Sequence, residues 1–220
     1  YYFTMEIYSI IGTGYDSNIF VIPGKKPTVI DTGTGMHKQN VLNQIEKYID
    51  ISSLSQIILT HEHFDHTGGV KQLYDVSDNK PTIIAHQEAA TKIERGESMF
   101  ARMLGGTMPK MLVDQKVSGG ESVLIGDKEY EIISTPGHTP GCICLYNTHT
   151  KTLFSGDTIF ANGSFGRTDL PGGNSSELKQ SIQTLSTLSI DRLYPGHELI
   201  VEQNAQAHVK MALKNVNYFG

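Results

Sequence analysis

Three histidines and one aspartate lie within six consecutive positions, His61-Glu62-His63-Phe64-Asp65-His66. The run follows the apolar segment 57–59, which is typical of a buried β-strand, and leads into a pair of glycines where the chain can turn. Imidazole and carboxylate groups are common metal ligands. On extended backbone His61 and His63 point the same way, whereas Asp65 and His66 can turn toward a second position. The motif predicts a loop that serves two metal ions, with a histidine-rich surface loop as the alternative.

Three later segments share one construction, in which an apolar run ends in a glycine and one residue of a metal-ligand type. The three residues are His138, Asp157 and His197, each directly after a glycine. Glycine lets the backbone turn sharply, so that the next side chain can project from a loop over the edge of a sheet. Any one of these could be an ordinary turn residue. Together with the first motif they predict two complete metal sites.

Segments of strand character alternate with helical patterns, which predicts an α/β chain. The expected strands are 18–22, 28–30, 56–60, 82–85, 131–134, 142–146 and 152–154. Helices are expected at 37–49 and 176–188, where apolar residues recur on one face, and at 201–216. Because the chain has no linker rich in proline or charge and no internal repeat, we expect residues 1–220 to form one domain.

Segment 96–114 departs from this regular texture because it carries Met99, Met103, Met108 and Met111, four of the chain's seven methionines. Methionine side chains are flexible and polarizable, so clusters of them can line adaptable binding surfaces. The segment is therefore either an adaptable apolar wall of a binding pocket or an ordinary loop helix packed on the core.

Composition restricts the partners. The 220 residues carry a net charge of −5, and no run of basic residues is longer than Lys25-Lys26. Nucleic acid and anionic membranes are therefore poor partners, and we expect a small-molecule substrate. The longest apolar run has five residues, whereas a membrane span needs about 20. The oligomeric state is left open.

Compartment is inferred from the N-terminal residues and the cysteines. Residues 1–6 lack the basic and apolar regions of a secretory signal. Cys142 and Cys144 lie two positions apart in a strand-like run, which is unfavourable for a disulfide between them and typical of structural thiols in a reducing compartment. We expect a cytoplasmic protein.

The order of these motifs resembles the metallo-β-lactamase superfamily over essentially the whole chain. The resemblance implies a four-layer αββα sandwich, in which two mixed sheets pack face to face with helices outside and the ligands gather along one edge. It also implies that the first metal ion is held by His61, His63 and His138. The second ion would be held by Asp65, His66 and His197, and Asp157 would bridge the two ions. Asp31, in an early Asp-x-Gly turn, would support the ligands without binding metal.

Details of the motifs indicate which members of the superfamily the chain resembles most. His63 replaces the glutamate of flavodiiron oxygen reductases, and Asp157 stands where class B β-lactamases carry cysteine or serine, so both activities are disfavoured. Ribonuclease members need additional RNA-binding parts, which this acidic chain does not show. Segment 156–173 is similar to glyoxalase II-like thioesterases and to persulfide dioxygenases. It offers Arg167 as a contact for an acidic substrate group, with an exposed loop arginine paired with Asp169 as the alternative. Only 23 residues follow His197, so glutathione as the carrier thiol is left open.

The reaction favoured by this resemblance is hydrolysis of a small acyl thioester. Two divalent ions about 3.5–4 Å apart can share a hydroxide, which Asp65 would orient, and a thiol with a pKa near 8.5 leaves without much help from an acid. Zinc is expected, with iron or manganese open. The alternatives are a lactonase, a non-enzymatic metal-binding scaffold, and a persulfide dioxygenase with one iron held by His61, His138 and Asp157.

Overall fold

Two mixed β-sheets lie face to face in the computed structural model, which describes residues 6–219. The first sheet has the order β1-β2-β3-β4-β5-β6. Its first three strands pair antiparallel, and β3 to β6 pair in parallel. The strands are Tyr8–Ile10, Ile19–Ile22, Thr28–Ile30, Gln56–Ile58, Thr82–His86 and Gln115–Val117.

The second sheet has the order β11-β10-β9-β8-β7. Strands β7 to β10 pair antiparallel, and β10 pairs in parallel with β11. From β7 to β11 the strands are Ser122–Ile125, Lys128–Ser134, Ile143–Asn147, Thr152–Gly156 and Arg192–Pro195. Both sheets are therefore mixed, as the resemblance implied.

Seven α-helices connect or follow these strands. From α1 to α7 they are Lys38–Ile45, Phe64–Thr67, Val70–Val76, Gln87–Arg95, Met99–Met103, Ser175–Ser186 and Ala205–Phe219. Two short 3₁₀ turns, Ile51–Ser53 and Ala161–Gly163, complete the helical elements of the described chain. Among the helices of residues 6–219, none has the length and apolar character that crossing a membrane requires.

Three separate apolar clusters show how the layers pack. The cluster between the sheets joins residues such as Phe20 and Ile58 of the first sheet to Tyr130 and Phe154 of the second. A second cluster buries α1, α3 and α4 against the outer face of the first sheet, and a third buries α6 and α7 against the second sheet. Alternate residues of a strand face opposite sides, so each sheet supplies two of these interfaces. The expected four-layer αββα arrangement is confirmed.

Element ends differ from the sequence predictions where tertiary contacts intervene. Helix α1 ends at Ile45 rather than at 49, although Ile49 is still buried. The last helix begins at Ala205 rather than at 201, because Val201 pairs with Leu193 in an antiparallel bridge. Strands β1, β6 and β7 and helices α2 to α5 are additional to the predicted elements.

Candidate metal centre

The candidate ligands follow the ends of four strands, at β4, β8, β10 and β11. Strand β4 leads into His61, β8 into His138, β10 into Asp157 and β11 into His197. The carboxyl ends of parallel neighbours such as β10 and β11 meet at one edge of a sheet. The two sheets therefore deliver side chains from distant parts of the sequence to one place.

The first group of converging ligand atoms belongs to His61, His63 and His138, whose ligand atoms lie within 4.8 Å of one another. His63 Nδ1 is 2.9 Å from His138 Nε2. Tetrahedral zinc with Zn–N bonds of about 2.0–2.1 Å separates two ligand nitrogens by about 3.3 Å. The spacing is therefore close to that of two nitrogens on one ion.

The second group consists of Asp65, His66 and His197. His197 Nε2 lies 3.1 Å from Asp65 Oδ2 and 3.3 Å from His66 Nε2, and the third edge, from His66 Nε2 to Asp65 Oδ2, is 3.7 Å. One oxygen and two nitrogens thus form a compact triangle, and these three residues are the second-ion set that the family resemblance implies.

Asp157 lies between the two groups. Its Oδ2 is 3.5 Å from His138 Nε2 and 3.7 Å from His197 Nε2, while its Oδ1 is 3.2 Å from His66 Nε2. A single carboxylate therefore faces a nitrogen of the first group and two of the second, which is the position that a bridging ligand needs. All seven predicted ligands are brought together, and their binding of metal stays a prediction.

The second ring nitrogen of these histidines is held by other groups. His138 Nδ1 donates to the backbone oxygen of Arg167 at 2.7 Å, and His66 Nδ1 donates to Asp31 Oδ2 at 2.7 Å. His61 Nδ1 lies 3.2 Å from Thr60 Oγ1. When Nδ1 carries the proton, Nε2 presents a lone pair to the centre, and such partners fix both tautomer and ring orientation.

Asp31 lies where the sequence placed a supporting aspartate. It is fully buried and accepts hydrogen bonds from the Thr60 backbone nitrogen, from Thr60 Oγ1 and from His66, at 2.7–2.8 Å. Its φ of 58° lies in the left-handed region, which non-glycine residues occupy at a cost. Its position beside His66 fits a positioning role, which stays a prediction.

Electrostatics at the centre favour a cation. Burial, followed by neighbouring imidazoles, lowers the pKa of His61 well below its ordinary value and that of His63 to about 4. Burial raises the pKa of the Asp157 carboxyl, but His66 outweighs it, so that this pKa is lowered. Burial lowers the pKa of His66, but Asp157 and Asp31 raise it well above the ordinary value. Without a cation, a proton on His66 balances the carboxylates, and a divalent ion would displace it.

Two buried atoms in the described chain test whether the centre fits metal ions. His61 Nε2 is buried and has no hydrogen-bond partner, and Asp157 Oδ1 is buried with the ion-pair contact to His66 Nε2 at 3.2 Å in place of a hydrogen bond. Leaving a buried polar group unsatisfied costs about 1–3 kcal/mol, so such groups are rare unless something binds them. Both atoms face the cluster of nitrogens and oxygens, and divalent ions of the zinc, iron or manganese type satisfy this donor set.

The ion pair between Glu62 and Lys92, which the sequence did not predict, stabilises the loops of the first group. Glu62 is buried, its Oε1 lies 2.6 Å from Lys92 Nζ on α4, and its Oε2 accepts a hydrogen bond from Thr139 Oγ1 at 2.8 Å. Burial raises the pKa of Glu62, but the Lys92 ammonium outweighs burial and the pKa is lowered. Glu62 stands between His61 and His63, so it ties their loop to the loop that carries His138.

A cavity of about 760 Å³ opens over the centre. Five of the seven candidate ligands line it, and its apolar wall consists of Met99, Phe100, Met103, Phe160, Phe165, Leu170 and Pro171. The methionine-rich segment therefore divides. Met99 and Met103 line the cavity, whereas Met108 and Met111 are buried in the core beneath the first sheet.

Three cationic side chains, Lys92, Arg102 and Arg167, line the same cavity. Lys92 is paired with Glu62, and exposed Arg167 is paired with Asp169 at 2.6 Å. Arg102 forms no ion pair within the described part of the chain, and its Nε donates to the backbone oxygen of Ser98. Arg167 borders the cavity, and its ion pair with Asp169 is the alternative that the sequence left open. A contact between Arg167 and substrate stays a prediction.

Gly196 precedes His197 and allows a close backbone approach at the centre. A Cβ added here would lie 2.3 Å from Asp157 Oδ1 and 2.6 Å from His66 Cε1. We expect Gly196→Ala to displace these ligands and weaken metal binding about 10–100-fold, the range typical of groups that orient ligands. Metal titration of the folded variant checks this.

Gly106→Ala is the matched control for that variant, because its added Cβ would meet only ordinary contacts at 3.5 Å and 3.7 Å. Metal affinity in Gly196→Ala equal to that of Gly106→Ala would show that the centre tolerates the added methyl group, and would contradict the placement of Asp157 and His66 around the ions.

Comparison with known proteins agrees with this fold. A family model described as the metallo-beta-lactamase superfamily matches residues 12–197. A probable metallo-hydrolase of Methanocaldococcus jannaschii is 36% identical over 93% of this chain and 98% of its own length. A hydroxyacylglutathione hydrolase of Nitrosococcus oceani is 33% identical over 67% of this chain and 49% of that enzyme.

Two solved structures are similar over most of their length. The BLEG-1 B3 metallo-beta-lactamase has a TM-score of 0.76 with 25% identity, and the match covers 89% of this chain and 93% of that one. TTHA1623, crystallised in a di-iron-bound form, has a TM-score of 0.74 with 28% identity, covering 94% and 96%. With the family model spanning residues 12–197, these matches show that the chain belongs to the metallo-beta-lactamase superfamily.

Proposed function

We propose that this chain is a metal-dependent hydrolase that uses two divalent ions to cleave small acyl thioesters. The observation that carries the proposal is the pair of ligand groups that share Asp157 at the wall of the cavity. Two ions held there supply a water of lowered pKa and polarise a carbonyl oxygen. The chain then needs no nucleophilic side chain of its own.

Asp65 is the residue that we assign to catalysis. Its carboxylate lines the cavity beside His197, at 3.1 Å. Burial raises the pKa of Asp65, but the neighbouring His66 outweighs burial and the pKa is lowered, so the group is ionised at neutral pH. An ionised carboxylate at this place accepts a hydrogen bond from the attacking water and orients it toward the substrate carbonyl.

The leaving group favours a thioester. A thiol with a pKa near 8.5 leaves as a thiolate without a general acid, unlike an amide nitrogen. An amide would need a general acid to protonate its leaving nitrogen. Lys92 and Arg167, which line the cavity, are already paired with carboxylates, so neither serves as that acid. A relative 33% identical is named for hydroxyacylglutathione, which is itself an acyl thioester. These points support thioester hydrolysis over amide hydrolysis.

The cavity also suggests the form of the substrate. Its apolar wall of methionine, phenylalanine, leucine and proline side chains suits the carbon chain of an acyl group or thiol. Arg102, which has no carboxylate partner in the part of the chain described, can pair with an acidic group of the substrate. We propose a small acyl thioester that carries a carboxylate, with Arg167 as a second contact.

Zinc is the metal that we propose, because imidazole and carboxylate ligands accept it readily, although they also accept iron and manganese. The di-iron form of a similar protein keeps iron as the principal alternative.

Cys142 and Cys144 are free and buried, which suits a reducing compartment, and we propose a single-domain cytoplasmic enzyme. A net charge of −5 makes nucleic acid and anionic membranes poor partners.

Activity of the zinc-loaded and iron-loaded chain toward matched substrates tests this function. The panel consists of acetyl and succinyl thioesters of one thiol, a lactone, a β-lactam and a persulfide. We expect thioester hydrolysis to have the highest kcat/KM, and the succinyl thioester to exceed the acetyl one because of Arg102. Faster hydrolysis of the lactone than of both thioesters would contradict the proposed substrate class and favour a lactonase. Turnover of the persulfide alone would contradict hydrolysis and favour a persulfide dioxygenase.

A further inference from the structure

Asn18 binds the loop that carries His197. It lies just before β2, is 2% exposed, and reaches the far end of the sequence. Its Nδ2 donates to the backbone oxygens of Pro195 and Glu198 at 3.0 Å and 3.2 Å. Its backbone nitrogen donates to the backbone oxygen of Gly196 at 2.7 Å. One residue thus satisfies three carbonyl groups around a single candidate ligand.

The same short segment also holds the other loop of the second group. The backbone nitrogen of Ser17, which is fully buried, donates to the backbone oxygen of Asp65 at 3.0 Å. Asn18 Oδ1 in turn accepts a hydrogen bond from the backbone nitrogen of Gly12 at 3.1 Å, which fixes the side-chain amide. Residues 17 and 18 therefore contact the loops of both Asp65 and His197.

The first group is anchored differently. His138 is held by the Arg167 carbonyl, and Glu62 ties the adjacent Thr139 to the loop of His61 and His63. In residues 6–219, no hydrogen bond from Asn18 reaches these three histidines or their loops. The contacts of Asn18 are thus specific to the second group.

The backbone beside His197 is strained, and the contacts of Asn18 hold it in place. Glu198 has a φ of 65°, in the left-handed region that non-glycine side chains rarely adopt. Such a conformation persists only where the surroundings hold it. The Asn18 amide bonds the carbonyl of this residue, and without that bond the loop can relax and carry His197 Nε2 away from Asp65 Oδ2.

We propose that Asn18 is a positioning residue for the second metal ion: it holds the His197 loop in the one conformation that completes the group of Asp65, His66 and His197. The proposal rests on the two-ion site of the proposed function. It assigns no contact between Asn18 and substrate or metal. Loss of the amide should weaken binding of the second ion about 10–100-fold and leave binding of the first unchanged.

Zinc stoichiometry and affinity of four proteins test the proposal. They are the parent chain, Asn18→Ala, Asn18→Asp and Asn147→Ala. Asn18→Asp keeps the size of the side chain and the acceptor for Gly12 but removes both donors, so it separates lost hydrogen bonds from a cavity. Asn147 is a matched control, because it is 1% exposed and its amide also bonds backbone groups, Glu129 O and Thr150 N at 2.7 Å, away from the centre.

Each variant is checked for folding by circular dichroism and thermal unfolding, and then titrated with zinc against a chelating indicator. We expect two ions in the parent and in Asn147→Ala, and one tight and one weakened ion in both Asn18 variants. If Asn18→Ala does not fold, Asn18→Asp alone decides. A purely structural role would lower the unfolding temperature of Asn18→Ala and Asn147→Ala alike without changing the number of ions.

The possible failures are distinguishable. Two tight ions in the folded Asn18 variants would overturn the positioning role and leave the proposed function intact. Loss of both ions would overturn the selectivity for the second group. A single ion in the parent chain would overturn the two-ion site of the proposed function, and the inference about Asn18 with it.

Discussion

Replacing Asp157 with alanine should remove more bound metal than replacing His66 with alanine, and should lower thioester hydrolysis by orders of magnitude. Asp157 Oδ2 lies 3.5 Å from His138 Nε2 of the first group and 3.7 Å from His197 Nε2 of the second. A carboxylate in that position would contact both ions. A ring nitrogen of His66 lies with Asp65 and His197 in the second group and also within reach of His61 and Asp157, and we assign His66 to the second ion alone. The variant without Asp157 should therefore lose both ions, and the variant without His66 only one.

Elemental analysis of the two purified variants after the same dialysis measures this difference. Asp114→Ala is a suitable control, because Asp114 is exposed and its carboxylate accepts a hydrogen bond from Ile83 N at 2.8 Å, outside the centre. Loss of one ion from both variants would contradict the bridging position of Asp157. Full metal retention in either variant would remove that residue from the site.

The seven candidate ligands could be predicted from sequence because each stands in a local context with a local consequence. A strand followed by glycine and a histidine or aspartate places that side chain at the edge of a sheet, whatever the rest of the chain does. The structure brings His138, Asp157 and His197 together at that edge. Family resemblance then supplied the layer order, which local patterns alone do not contain.

The groups that support the ligands could not be predicted in this way. Glu62 is paired with Lys92, which is 30 positions away, and Asn18 is bonded to Pro195, which is 177 positions away. Neither partner is implied by the spacing of residues near Glu62 or Asn18. A signal existed for Glu62, since a charged residue between two ligands of a buried loop requires a partner, but the sequence does not say which lysine provides it.

The methionine-rich segment shows the same limit at the level of one side chain. Composition favoured either a pocket wall or core packing, and the structure contains both. Met103 is 72% exposed beside the cavity, whereas Met108 is 6% exposed in the core, where Thr67 Oγ1 lies 3.3 Å from its sulfur. The short helix α5 ends at Met103, so no single periodicity spans the two residues.

Replacing His197 with alanine should abolish thioester hydrolysis while the protein stays folded. His197 Nε2 lies 3.1 Å from Asp65 Oδ2 and 3.3 Å from His66 Nε2, so its removal takes one of three ligand atoms from the second group. Hydrolysis that depends on two ions should then fall by orders of magnitude. The measurement is thioester hydrolysis beside persulfide-dependent oxygen uptake, in the parent and in the variant. His208→Ala is the control, since His208 Nδ1 bonds Asn162 N at 2.8 Å outside the centre.

If the protein is instead a mononuclear iron dioxygenase, its activity should survive the loss of His197. Its iron would be held by His61, His138 and Asp157, and the structure does bring the last two within 3.5 Å. Such an enzyme could keep much of its rate without His197. Oxygen uptake that survives in His197→Ala, with no thioesterase activity in either protein, would therefore overturn the hydrolase. We expect hydrolysis, because a one-metal enzyme has no chemical need of the Asp65, His66 and His197 triangle, whose atoms are held 3.1–3.7 Å apart.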